Sequence, residues 1–401
     1  MTSSMIPSTA TMTPQSAEPT MTSGATPLNL RALLEEMIER EASDLHLCVH
    51  TCAKLRVHGE ITDSRNSQVL TPKDTLQLAY SVLSDNQKKR FEQEDELDFS
   101  FGLANLARFR GNVFKQRGSV SVVLRQIPHN IKTFQNLGLP DAVARMAERP
   151  RGLVLVTGPT GSGKSTTLAA MIDKINRERH GHIITVEDPL EFIHRHQSCI
   201  VNQREVGTDT KTFAHALKYA LREDPDVILI GEMRDLETIQ AALTIAETGH
   251  LAFATLHTNS AAEAINRIID VFPSHQQSQV RAQLAFVLEG VVTQTLVQKI
   301  GGEGRAMAAE ILVVTQAVRA LIRDDKVHQI YSSMQTGKKF GMQTLNDALY
   351  TLYMAKEVSA EECLRVSGDA NEFARMAGLE LDSDGRIRPK APPTIATRGK
   401  Y

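Results

Sequence analysis

Gly158-Pro159-Thr160-Gly161-Ser162-Gly163-Lys164-Ser165 satisfies the spacing G-x-x-x-x-G-K-[ST] at every fixed position. It lies between a continuous apolar run at 153–156 and a stretch of helical spacing at 164–176. Strand, glycine-rich turn and helix in that order form a phosphate cradle. The glycines let successive backbone N–H groups converge on phosphate oxygens, and the helix N-terminus adds its partial positive charge. In such a cradle Lys164 reaches the β- and γ-phosphates of a nucleotide and the Ser165 hydroxyl holds Mg2+. The alternative, a glycine-rich turn with an exposed lysine, does not require these flanks.

Further short apolar runs follow at 183–186, 227–230 and 251–256, and most are separated by helical stretches at 210–222 and 235–247. Strands that are apolar throughout and alternate with helices predict a parallel sheet covered on both faces, so the fold class is α/β. From 261 to 377 the chain reads as mostly helical. Met342, Leu345, Leu349 and Leu352 form an apolar stripe there, best read as core.

In an open α/β sheet ligands bind beyond the carboxyl ends of the strands. Glu187 and Asp188 follow one strand, Glu232 follows the next after a glycine, and His257 follows the last. Hydrolysis needs one carboxylate to orient or deprotonate water and another group to hold the metal shell, which makes Glu187 and Glu232 the candidates. Asp226 precedes its strand and belongs at the opposite edge. His250 and His257 are separated by seven strand residues, about 23 Å, which excludes a shared metal. His257 is placed for the γ-phosphate or the attacking water; His250 reads as structural or as a subunit contact.

Upstream, 28–40 has helical spacing, and 45–49, 55–57, 97–101, 107–114 and 120–126 read as strands. Together they predict a small α+β domain at 28–128. Pro128, Gly138 and Pro140 punctuate a linker at 129–150, which also holds the first helix of the second domain, 151–377. Arg108, Arg110 and Arg125 lie on strands of the first domain. They are candidates for neutralising phosphate charge from another domain or subunit. Arg204, Arg222, Arg234 and Arg267 are weaker candidates.

The 401 residues suit two or three domains. Lys and Arg number 45 against 47 Asp and Glu, so no basic excess points to nucleic acid. No apolar run approaches the ~18 residues of a spanning helix. Four cysteines make no disulfide scaffold, and Cys48-x-x-x-Cys52 lacks the second pair a structural zinc site needs. The segment 1–27, rich in Ser, Thr and Pro, has neither the basic start nor the apolar core of a signal peptide and reads as disordered. The end, 378–401, reads as a flexible tail.

Four stretches carry a family resemblance: the loop 158–166 with Thr166; Ile184-Thr-Val-Glu-Asp-Pro-Leu-Glu-Phe192; Leu229-Ile-Gly-Glu-Met-Arg-Asp235; and Thr248-Gly-His-Leu-Ala-Phe-Ala-Thr-Leu-His257. They resemble the Walker A, Asp-box, Walker B and His-box motifs of secretion-type ATPases. Within these the chain is similar to type IV pilus retraction ATPases of the PilT type. The finer likeness rests on Ser43-Asp-Leu-His-Leu47, Ala107-Arg-Phe-Arg110, Val201-Asn-Gln-Arg-Glu-Val206 and Ala317-Val318-Arg319-Ala320-Leu321-Ile322-Arg323. The last resembles a C-terminal helix needed for retraction.

The resemblance implies a PAS-like first domain, a RecA-like ATPase domain with a helical C-terminal part, and a homohexameric ring using ATP and Mg2+. It implies acidic catalytic roles for Glu187 and Glu232, a γ-phosphate contact for His257, and charge-stabilising roles for Arg108, Arg110 and Arg125. Asp188, His250 and Arg267 are secondary site residues. Implied partners are the inner-membrane pilus platform protein and a paralogous ATPase, at the cytoplasmic base of the pilus. The long N-terminal region and four-cysteine motif of pilus assembly and type II secretion ATPases are missing, which favours retraction. The tail 1–27 is not usual in the retraction family. Competing readings are a PilU-type accessory ATPase, a nucleic-acid translocase of RecA-like fold, and a regulatory subunit of weak hydrolysis.

Overall fold

The computed structural model describes residues 28–57, 59–103, 106–127, 131–302, 304–382 and 385–387; the expected tail at 1–27, and residues 388–401 of the tail expected at the other end, lie outside these. The described chain divides into two compact units after Gln126.

The first unit is a six-stranded sheet with helices packed on it. Its strands are β1 (Asp44–Leu47), β2 (Lys54–Val57), β3 (Glu60–Asp63), β4 (Glu96–Leu103), β5 (Ala107–Gln116) and β6 (Ser119–Ile127), in the order β3-β2-β1-β6-β5-β4. Along β5, Ala107, Phe109, Gly111 and Val113 are buried while the residues between them are half-buried, the alternation of a sheet with one covered face. The helix Leu30–Glu39 turns Leu30, Leu33, Leu34 and Met37 onto that core. The helices Pro72–Tyr80 and Asp85–Glu94 each start with a reciprocal capping box, Thr71 with Asp74 and Ser84 with Gln87.

The second unit is built on β7 (Gly152–Thr157), β8 (His182–Glu187), β9 (Ile200–Glu205), β10 (Val227–Ile230), β11 (Leu251–Leu256), β12 (Leu288–Gln298) and β13 (Arg305–Val313), in the order β13-β12-β7-β11-β10-β8-β9. All neighbours run parallel except β12 and β13. Successive side chains face two different cores. Leu153 and Leu155 pack with the helices Leu236–Glu247 and Ala261–Asp270; Val154 and Val156 pack with Asp141–Ala147 and Lys164–Glu178. Burial on both faces explains why β7, β10 and β11 are apolar throughout, at roughly 1.5–3 kcal/mol for each large side chain.

The region from 261 onwards is not purely helical. It contains β12 and β13, and β9 was likewise unmarked in the sequence. Val291, Val292, Thr293, Thr295 and Val297 in β12 carried a β-branched signal. Arg305-Ala-Met-Ala-Ala-Glu310 has good helix formers, and its strand state is imposed by pairing with β12. A smaller core of Val297, Ala308, Leu349, Val358, Cys363 and Phe373 joins this hairpin to the C-terminal helices. Of the 342–352 stripe, Met342 and Leu349 are buried; Leu345 and Leu352 are half-buried against the core.

Candidate active site

The loop after β7 is shaped by what its glycines allow. Gly158 has φ 137°, and a Cβ there would stand 2.2 Å from the Gln294 carbonyl oxygen, so only glycine fits. The helix Lys164–Glu178 begins at Gly163, φ 90°, with no side chain capping its first N–H groups and no acid in its first turn. By contrast Thr212, Asp235 and Ser260 cap the next three helices of the unit. The N–H groups beside the loop are thus left for an anion.

Lys164 is buried. Its Nζ donates to the carbonyls of Gly158 (2.8 Å) and Pro159 (3.2 Å) and stands 3.5 Å from His257 Nδ1. His257 Nε2 lies 3.3 Å from Glu232 Oε1. Lysine only donates, so Nδ1 accepts and the proton belongs on Nε2, facing the carboxylate. Glu232 is gripped by Arg234 through Nε to Oε1 (2.6 Å) and Nη2 to Oε2 (2.7 Å). Burial alone would raise the Glu232 pKa, but Arg234 and then His257 hold the carboxyl below its ordinary range. Burial lowers the Lys164 pKa, and the charge of Glu232 offsets part of that.

Glu187, at the end of β8, is buried beside this row. It accepts from Thr185 Oγ1 (2.7 Å) and from the Glu191 N–H (3.3 Å), yet burial pushes its pKa up to about 7. Gly231, preceding Glu232, packs so closely on it that a Cβ would stand 3.1 Å from Glu187 Cα. Asp188 is exposed, and its charge reaches Arg234.

Other candidates fall elsewhere. His250 lies at the opposite edge, its Nδ1 3.1 Å from the Ile245 carbonyl at the end of the helix Leu236–Glu247. Asp226 shares that edge and accepts from the His182 N–H. Arg267 is exposed on the helix Ala261–Asp270, apart from the cluster. Arg204 pairs with Glu223, and Arg222 lies over Tyr219.

Arg108 and Arg110 share the less buried side of β5, with Arg108 donating to Ser100. Arg125 pairs with Asp44 at 2.8 Å. All three lie in the first unit. The segment 317–323 lies in the helix Gln316–Arg323, where Val318 and Ile322 are buried. Arg319 is bound internally: it donates to the carbonyls of Ala285 and Phe286 and pairs with Glu289. Arg323 is largely exposed beside Asp324.

One residue at the loop had no mark in the sequence. Gln294, buried in β12, donates from Nε2 to the Ser162 carbonyl at 2.8 Å. The preceding Thr293 hydroxyl meets that of Thr157 at 2.7 Å. Only the pairing of two strands distant in sequence brings these together.

A family model described as Type II/IV secretion system protein matches residues 23–365. The chain is 50% identical over 334 residues to the type IV pilus retraction ATPase PilT of Pseudomonas aeruginosa, spanning 83% of this chain and 96% of that protein. It is 41% identical over 357 residues to the type IV pilus ATPase PilU of the same organism, spanning 89% and 93%. Among solved structures it is similar to the pilus retraction motor PilT with bound ADP, at a TM-score of 0.82 and 51% identity, covering 87% of this chain and 99% of that one.

Proposed function

Because the chain belongs to the Type II/IV secretion system protein family, we propose that it is an ATP-hydrolysing motor that powers retraction of a type IV pilus and so twitching motility. The observation that carries the chemistry is the row Lys164–His257–Glu232 at the carboxyl edge of the sheet, beside an uncapped helix start. The nucleotide phosphates lie in the loop 158–166. Lys164 exchanges its two loop carbonyls for β- and γ-phosphate oxygens. Glu232, ionised at neutral pH, accepts a proton or hydrogen bond from the attacking water. His257, its Nε2 turned to Glu232, keeps that carboxylate in line with Lys164. Glu187, with a pKa near neutrality, is the second acid.

Among the described residues no group of three or more His, Cys, Asp or Glu forms a metal cage. Ser165 lies in the first turn of the uncapped helix Lys164–Glu178 beside the loop, a hydroxyl suited to an ion that takes most of its ligands from phosphates and water, so the residues fit Mg2+. The ion would sit on the Ser165 hydroxyl and supply Lewis-acid stabilisation of phosphate charge.

The motor works as a homohexamer in the cytoplasm at the inner-membrane base of the pilus, against the platform protein. Arg108, Arg110 and Arg125 are the charge-stabilising arginines of its first domain, and no nucleic acid is involved. Among the described residues no helix is long and apolar enough to cross a membrane. Retraction is favoured over the PilU-type accessory role by 50% against 41% identity.

Turnover of the purified protein and of Lys164→Ala and Glu232→Ala tests the chemistry. Both variants are expected to lose nearly all activity, and retained turnover refutes the site. Single-stranded DNA is expected to leave the rate unchanged. Deleting the gene should leave pili that extend but do not retract; persistent twitching would refute the role.

A further inference from the structure

We propose that Gln294 is a positioning residue of the phosphate loop: its amide sets the direction of the Gly163 N–H by holding the Ser162 carbonyl. The proposal rests on the nucleotide-binding reading of the loop and deepens it. Gln294 is 2% exposed and stands on β12, 132 residues from the serine whose carbonyl it binds at 2.8 Å. A trans peptide carries its N–H opposite its C=O. Pinning the Ser162 oxygen on the β12 side therefore turns the Gly163 N–H to the other side of the loop, among the donors that converge on phosphate.

Two glycines of the loop pack against the same residue. A Cβ on Gly158 would meet the Gln294 carbonyl oxygen at 2.2 Å, and one on Gly163 would meet Nε2 at 3.2 Å. The adjacent Thr293–Thr157 hydroxyl contact and the register Thr293↔Thr157 lock β12 to β7 one residue earlier. The loop is thus held against Gln294 at its two ends, Gly158 and Gly163.

Packing alone does not account for an amide here. Its Oε1 is buried with no hydrogen-bond partner, as is Ser162 Oγ. Buried polar atoms are normally paired, and an apolar side chain of the same shape would fill the space without an orphaned acceptor. What the amide adds over that side chain is the donated bond to Ser162.

The test is Gln294→Met, which keeps the shape and removes the donor. ADP binding with Mg2+ is measured by titration calorimetry, ATP turnover gives KM and kcat, and thermal melting reports the fold. Expected are a rise of about tenfold in Kd for ADP and KM for ATP, kcat within about twofold and Tm within a few degrees of wild type. If Gln294→Met does not fold, Gln294→Leu, which also removes the donor and adds no charge, is read in its place with the same expectation. Unchanged Kd and KM beside a wild type that binds ADP overturn the proposal alone. A parallel fall of affinity, kcat and Tm also overturns it, because that marks a general structural role. A wild type that does not bind ADP overturns the nucleotide site and the proposal together.

Discussion

Replacing Glu187 by glutamine should stabilise the protein at pH 8, have almost no effect on stability at pH 5, and abolish turnover. The carboxyl is buried, and its pKa is pushed from 4.5 to about 7 in the folded state. The folded protein therefore binds the extra proton between those values, and stability falls as pH rises through that window. From pH 5 to pH 8 this one group removes about 2.5 kcal/mol. The amide lacks that titration and forfeits one of the two hydrogen bonds from Thr185 and Glu191, at about 1 kcal/mol independent of pH. Glu187→Gln therefore gains roughly 2 kcal/mol at pH 8 and about zero at pH 5. The chain has no tryptophan, so urea unfolding is followed by far-UV circular dichroism at one protein concentration. Titrations elsewhere cancel in the difference between the two proteins. A gap between them that is the same at both pH values would show that Glu187 ionises as an ordinary carboxylate, and the reasoning would fail.

Arg234→Ala removes the main hydrogen-bonding and charge partner that depresses the Glu232 pKa, so the acid limb of the pH–rate profile should move to higher pH; an unmoved limb would contradict the pairing. Arg319→Ala removes three hydrogen bonds, one of them a largely buried ion pair with Glu289, and should lower stability by about 2–3 kcal/mol, whereas exposed Arg323→Ala should change it by less than about 0.5 kcal/mol; urea midpoints separate the two. Gly158→Ala forces a Cβ against backbone at 2.2 Å and should abolish ADP binding, while Gly161→Ala, with open space around it and only a positive φ to strain, should be weakened by about 1 kcal/mol; equal effects on ADP titration would refute the packing.

How much could be read before the structure depended on the range of the interaction. The loop and its helix follow one another in the chain, and strands buried on both faces are apolar throughout, so the α/β class and the strand-end positions of Glu187, Glu232 and His257 were legible. The wrong-edge placement of Asp226 and His250 followed from the same rule. Of the hairpin of β12 and β13, β12 carried a β-branched signal, but its pairing with β13 was not legible. Arg305–Val313 is alanine-rich, and cross-strand pairing overrides its helical preference.

Local order alone therefore determined the glycine-rich loop, the apolar strands and which end of each strand carries the acids, because each depends on residues within one strand–turn–helix unit. Tertiary structure decided that Gln294 underlies the loop, that Arg234 grips Glu232, and that Arg319 is bound inside its own unit. The first and last of these contacts join residues 30 or more positions apart. The grip of Arg234 on Glu232, though local, depends on how the turn after β10 is folded against its neighbours. Only closing the chain on itself sets such distances, and with them the burial that raises the pKa of Glu187.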